Sequence, residues 1–393
     1  MHGSSLPTAD VVVIGGGIVG TAAAACLTGA GARVVLIERK GLASGASGAN
    51  SGVVQHPFDP VLAALYRETI SLYRELSAVS ASFRLPAEPA GMLFVSQHEA
   101  AARRQATMIA DAFPELHPEV VDPAVLVRLE PTLAPGLWAC RVNIGYPVLP
   151  GASTYGYATL MESRGAELRQ GRAAVLAVEG DTVTGVRVEG RLLPAGAVLV
   201  AAGPWTPDLL DPSGRWVPIR PRWGVVVEAE LADPPRHVLE EAGIDAAMPI
   251  PSNVGEGGEA PGNEPGNEPG GHEVEFSLVP LPGSSAVGST FLVHEPDPNA
   301  WMEPILAGAS RFVPTVADAP VRGVRACARP QSIDDRPLIG RVPGRRNLYV
   351  CAGHGPWGIS TGPASARLIA DLILGREPRI PAEFDPGRFG VPG

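Results

Sequence analysis

The chain has 393 residues, 45% apolar and 18% charged, enough to bury a large core and more than one core usually encloses, so two domains are expected. A formal net charge of −10 argues against a nucleic-acid partner. The four cysteines, Cys26, Cys140, Cys327 and Cys351, show neither CxxC spacing nor a dense framework, so no zinc site, other metal or disulfide scaffold is expected, and a reducing, cytoplasmic setting is.

Residues 11–14 form an apolar run that breaks on Gly15, Gly17 and Gly20 and opens an alanine-rich helix over residues 18–27. Strand, glycines and helix in this order give a tight turn, backbone approach to a pyrophosphate and close packing of helix on sheet. Residues 33–37 read as a second parallel strand, and Glu38 follows Gly20 by 18 residues, where adenosine ribose hydroxyls would lie. A dinucleotide is expected here. Residues 11–32 are long and uncharged enough to imitate a membrane span. The glycines, the abutting Asp10 and the lack of a basic leader favour a buried strand plus helix instead, so no transmembrane segment is expected.

Residues 41–52 are a second glycine-rich stretch running straight on from the nucleotide motif, which favours a cofactor contact over a free surface loop. Leu62, Leu65, Tyr66, Thr69, Ile70, Tyr73 and Leu76 recur at helical spacing and mark an amphipathic helix. Pro86, Pro89, Pro114, Pro118, Pro131 and Pro135 punctuate residues 83–146 and signal a first visit to a second domain. Residues 153–164 read as a helix; residues 174–178, 184–188 and 197–202 read as strands, the last ending on Gly203-Pro204-Trp205. Strands over residues 225–230, 274–279 and 289–293, then a helix over 301–312, form a second visit to the substrate half. Between them, residues 255–273 are acidic and carry a tandem Pro-Gly-Asn-Glu repeat, expected to be a flexible insertion. The chain closes with a strand over 347–352, a tight loop over 353–358 and a helix over 363–374. That helix N-terminus is placed to stabilise negative charge on a bound ring system.

Four segments in order resemble the FAD-dependent D-amino-acid oxidase superfamily: residues 11–38, residues 47–52, "VLVAAGPWT" at 198–206, and "RPQSIDDRPLIG" at 329–340 followed by "LYVCAGHGPWGISTGPASARLIADLI". The resemblance implies an α/β chain with a Rossmann-like FAD-binding domain (residues 1–82, 147–218 and 320–393) and a discontinuous α+β substrate domain with a mainly antiparallel sheet (residues 83–146 and 219–319). It implies FAD held by Gly15, Gly17, Gly20, Glu38, Arg39, Ser47, Asn50, Ser51, Gly52, Val175, Gly203, Trp205, Gly353, Gly355, Gly358 and Ile359. It also implies an oxidase or dehydrogenase that moves a hydride from Cα of an amino acid or N-substituted amino acid to flavin N5, giving an imine and then a 2-oxo acid.

Arg329 stands five residues before Asp334, where relatives such as glycine oxidase carry the arginine that pairs the substrate carboxylate. A guanidinium fork suits that pairing. An interdomain salt bridge is the competing reading, and Arg325 is the residue most easily confused with it. Cys327 has the spacing at which sarcosine oxidases tether their flavin, but the companion aromatic two residues later is Arg329, so non-covalent FAD is expected. Gln55 stands where hydroxy-acid relatives place a histidine, with His56 one step beyond. An alcohol needs such a base and a neutral amine does not, which favours an amine over a 2-hydroxy acid. A catalytically silent flavin-bearing subunit or assembly factor is the alternative from another class. The electron acceptor, oxygen or a quinone or electron-transfer partner, stays open, as do homo- or hetero-oligomerisation and peripheral membrane association.

Overall fold

The computed structural model describes residues 9–243 and 274–393. The acidic tract at 255–273 lies outside the described residues.

The first strand, β1 (Ala9–Ile14), is buried at every position but Asp10. It pairs in parallel with β2 (Val34–Glu38) on one side and with Arg191–Val200 on the other. Its alternate residues are buried on opposite faces, Val11 and Val13 with the alanines at 22–25 and Val12 and Ile14 with Val183 and Val186, so the strand has no wet face, which explains its unbroken apolar run. The first sheet runs Leu338–Arg341, Leu348–Ala352, Arg191–Val200, β1, β2, Glu167–Gln170, with an antiparallel meander of Ala174–Glu179 and Thr182–Val188 attached. Since the chain leaves β1 toward β2 and returns on its other side, a crevice opens at the carboxyl end of β1. Helix α1 (Ile18–Gly29) packs over this sheet against the helices Ala152–Ser163 and Gly358–Ile373.

Helix Gly358–Ile373 starts five residues earlier than the sequence pattern indicates and carries Pro363 inside it. A proline there removes the bond to the carbonyl four residues back. That carbonyl is Ile359 O, and the buried Tyr73 hydroxyl donates to it at 2.7 Å. The amphipathic helix Pro60–Val79 thus supplies the missing donor to the helix that borders the site.

The second sheet is mainly antiparallel and runs Val321–Ser332, Ile219–Ala229, Ser284–Thr290, Val274–Leu281, Val238–Glu241, Met92–Ser96, Trp138–Val142, Glu119–Val121; its parallel pair is Val238–Glu241 with Met92–Ser96. The chain is therefore α/β, with a Rossmann-like sheet beside a mainly antiparallel one. One strand differs from the division at residue 320. Val321–Ser332 pairs along its length with Ile219–Ala229, because its inward residues complete the second sheet before the chain crosses back to Leu338.

His56 is buried between aromatic rings, 4.9 Å from the Tyr66 centroid and 4.8 Å from that of Phe113, and its Nδ1 has no partner among the described residues. Burial pushes its pKa down to about 4, and burial does the same to His354. Between pH 6.5 and 4 the unfolded chain binds protons that the native chain refuses, so stability falls as pH drops through this window. Each imidazole should cost about 2 kcal/mol on going from pH 7 to pH 5. Urea midpoints at the two pH values check this; His56→Leu should remove about half of the drop, and an unchanged drop would exclude His56 as its source.

Candidate active site

A cavity of about 370 Å³ opens at the carboxyl end of β1 and extends between the two sheets. Gly15, Gly16, Gly17 and Val19 line one end of it. Gly15 has φ +118°, and a Cβ there would run into the Ala201 carbonyl; a Cβ on Gly20 would overlap Gly15 O. Both glycines are required by backbone meeting backbone. Gly17, the N-cap of helix α1, has no side chain of its own to cap it, so the helix-end N–H groups that the protein does not bond are available to a phosphate. Ser47 Oγ accepts from Ile18 N–H at 2.9 Å and ties the second glycine-rich stretch to that helix end.

Glu38 lines the same end. Its Oε2 accepts from Gly16 N–H at 2.7 Å and its Oε1 from Lys40 N–H at 2.8 Å. A carboxylate has about four acceptor sites, so two ribose hydroxyls can still be received. Arg39 lies over the Trp205 ring, 4.1 Å from its centroid, and both border the cavity.

At the far end, Arg325 and Arg329 share one strand and separate by environment. Arg325 pairs with Glu228 at 3.1 Å and donates to Asn50 O at 3.0 Å, so it pins the glycine-rich stretch to the second sheet. Arg329 has no carboxylate within ion-pair distance among the described residues. Its Nη1 donates to Thr290 O at 2.8 Å, its Nη2 to Ser289 Oγ at 2.7 Å, and its Cζ lies 4.6 Å from the Phe291 ring centroid. Desolvation lowers its pKa, yet a guanidinium stays charged at any working pH. Two anchors on its five N–H groups leave three donors for a ligand. Gly224, on the neighbouring strand opposite Cys327, makes the room: a Cβ there would overlap the Arg329 guanidinium.

Of the residues singled out in the sequence, Gly15, Gly17, Glu38, Arg39, Ser47, Asn50, Ser51, Gly203, Trp205, Arg329, Gly355, Gly358 and Ile359 line this one cavity, and Cys327 joins them. Gly20, Gly52 and Gly353 stand behind the wall as packing glycines: a Cβ on Gly52 would strike Val148 O, and one on Gly353 would crowd Ile219 and Leu338. Val175, expected to meet the adenosine through its backbone, is not among the residues lining the cavity; its side chain is 61% exposed, and its neighbours Arg172, Ala173 and Ala174 border the cavity. Reasoning from sequence missed Val226, Glu240, Ser277 and Ser289, which arrive from four strands of the second sheet, and Phe291 just past the last of them; none carries a local motif.

The cradle fits FAD on three structural counts: the glycine turn that admits no Cβ, the helix end beside Glu38 with a glycine at its N-cap, and the buried His354 Nε2, which borders the cavity and has no partner among the described residues. Cys327 is buried with its Sγ 3.9 Å from Ala46 O, and burial raises its thiol pKa. A protonated thiol is a poor nucleophile. Acid precipitation of the holoprotein should therefore leave the yellow colour in the supernatant; colour on the pellet would show a covalent link.

Among the described residues no helix is long and apolar enough to cross a membrane. The sequence model of the family described as "FAD dependent oxidoreductase" matches residues 10–372. Glycine oxidase of Pseudomonas putida KT2440 is 27% identical over 97% of this chain and 99% of its own length. D-amino acid dehydrogenase of Methylobacterium radiotolerans is 30% identical over 67% of this chain and 58% of its own. The solved structure of glycine oxidase from Geobacillus kaustophilus superposes with a TM-score of 0.78 at 23% identity, covering 96% of this chain and 98% of that one, and shares its fold.

Proposed function

Because this chain belongs to the FAD-dependent oxidoreductase family, we propose that it oxidises a carboxylate-bearing amine, an amino acid or N-substituted amino acid, at Cα. The product is an imine that water converts to a 2-oxo acid. The observation that carries this reading is Arg329: a charged fork on the cavity wall, held from behind by a carbonyl, a hydroxyl and a ring, with no carboxylate of the protein within ion-pair distance among the described residues. Its likeness to a glycine oxidase and a D-amino acid dehydrogenase supports the same chemistry.

FAD supplies the hydride acceptor when bound. Gly15, Gly17 and the start of α1 would hold its pyrophosphate, Glu38 its ribose, and Ser47, Asn50, Ser51, Gly355, Gly358 and Ile359 its ring system. The chain's own part is orientation. Arg329 pairs both carboxylate oxygens and so fixes position and rotation of the substrate together. Thr290 O and Ser289 Oγ keep the guanidinium from turning. Val226 and Phe291 border this end of the cavity and keep water from the reacting carbon. Gln55 borders the cavity, whereas His56 is packed among Phe58, Tyr66 and Phe113 outside its wall. The segment thus offers no imidazole to take a proton from an alcohol, and a neutral amine enters with its lone pair ready. Oxygen or a quinone-type carrier reoxidises the enzyme; oxygen uptake set against dye reduction separates the two. Anaerobic mixing with a panel of amino acids should bleach the flavin. Bleaching by 2-hydroxy acids alone, or by nothing, would overturn the reading.

A further inference from the structure

Arg329 has a second guanidinium beside it. Arg222, on Ile219–Ala229, is the residue directly opposite Arg329 in the strand pair. Alternate residues of a strand share a face, so Arg222 lies on the face that carries Gly224, beneath the Arg329 guanidinium, and Val226, on the cavity wall. Residues opposite one another in this way have Cβ atoms about 5 Å apart. Arg222 is half-buried, and no described residue takes a hydrogen bond or an ion pair from its guanidinium. Its charge reaches Asp335, but that carboxylate accepts from Gln331 and lies beyond ion-pair distance. Burial lowers the Arg329 pKa, and the Arg222 charge adds to that effect. Like charges directly opposite on a strand pair destabilise it, and among the described residues no acid of the protein is placed to relieve these two.

We infer that Arg222 reads a second carboxylate on the substrate, so that the preferred substrate is a dicarboxylic amine. This rests on the carboxylate reading of Arg329, which takes the carboxylate next to Cα. The second carboxylate, carried on the side chain or on the nitrogen substituent, meets Arg222 across the strand pair. With its N–H groups unclaimed by any described residue, the Arg222 fork can form two parallel charge-assisted bonds to it. Selection works in both directions. A dicarboxylate places a negative charge on each guanidinium and so removes their mutual repulsion, whereas a neutral side chain of equal length takes water from Arg222 and returns nothing.

The test is a ligand pair with no amine at Cα: glutarate, with two carboxylates, and its monoamide glutaramate, of the same size with one. Binding to the FAD-loaded protein is followed by perturbation of the flavin absorbance and by thermal shift, in about 0.15 M salt, which screens attraction beyond about 8 Å. The wild type should bind glutarate about 10-fold tighter or more, and Arg222→Gln should bring the ratio toward 1. A wild-type ratio near 1 overturns the inference without any variant, as does a ratio unchanged by Arg222→Gln. Anaerobic flavin reduction then locates the second carboxylate. Racemic glutamate outpacing glutamine puts it on the side chain, iminodiacetate outpacing its monoamide puts it on the nitrogen, and neither doing so overturns the inference. Arg329→Lys distinguishes the two layers of the argument. Weakened binding of both ligands upholds the carboxylate clamp, so a ratio near 1 then counts against Arg222 alone. Glutaramate binding indifferent to Arg329→Lys overturns the clamp itself.

Discussion

Arg329→Ala is expected to cost about 2 to 5 kcal/mol of binding or transition-state stabilisation for carboxylate-bearing amines, the scale for stranding a desolvated charge. The flavin should stay bound, because the guanidinium spends its bonds on Thr290 and Ser289 of the second sheet and none on the nucleotide half. Arg329→Lys should recover only part of the loss: the charge remains but the planar fork that fixes carboxylate rotation does not, so flavin reduction slows as binding weakens. Arg325→Ala is the internal control. Arg325 holds the carbonyls of Ala49 and Asn50, so its loss should loosen the glycine-rich stretch and raise the FAD dissociation constant. The decisive measurement is stopped-flow reduction with an amino acid and its decarboxylated amine. If Arg329 reads the carboxylate, the amine is affected far less; equal losses for both would make Arg329 a scaffold residue.

The nucleotide half was legible in the sequence because its parts are neighbours in the chain. Gly15, Gly17, Gly20 and Glu38 fall within one β-α-β unit, where each local choice implies the next. Val175 shows the limit of that reasoning: the strand Ala174–Glu179 was legible, but which of its residues stands at the cavity wall was not, and there the wall is made by Arg172, Ala173 and Ala174. The substrate end is assembled from the strands Ile219–Ala229, Val238–Glu241, Val274–Leu281, Ser284–Thr290 and Val321–Ser332. Gln55 meets Glu240 across 185 positions and Arg329 meets Ser289 across 40. No periodicity encodes such meetings. Arg329 itself was legible through its distance from Asp334, while the groups that make it useful were not.

Gly224 is the clearest of these, and Gly224→Ala should keep the flavin and lose the substrate. Nothing in the sequence marks this glycine, since it interrupts a strand with neither a turn nor a positive φ. Its role is space for the guanidinium lying over it. Because that guanidinium ends a flexible side chain, an added methyl should push it aside without breaking the strand pair, and the fold should hold within a few degrees of its melting temperature. A displacement of about 1 Å at a positioning group costs on the order of 100-fold in rate, so kcat/KM for carboxylic substrates should fall by that factor or more at unchanged FAD content. Gly20→Ala offers the contrast: its Cβ meets the Gly15 carbonyl, backbone that cannot swing away, and the expected result is a protein that no longer retains FAD. A double-mutant cycle separates the mechanism from general damage. If Gly224 acts through Arg329 alone, Gly224→Ala in an Arg329→Ala background should change kcat/KM by less than about 2-fold, since the group it displaces is already gone. A full second loss in that background would mean that the methyl disturbs the cavity by another route.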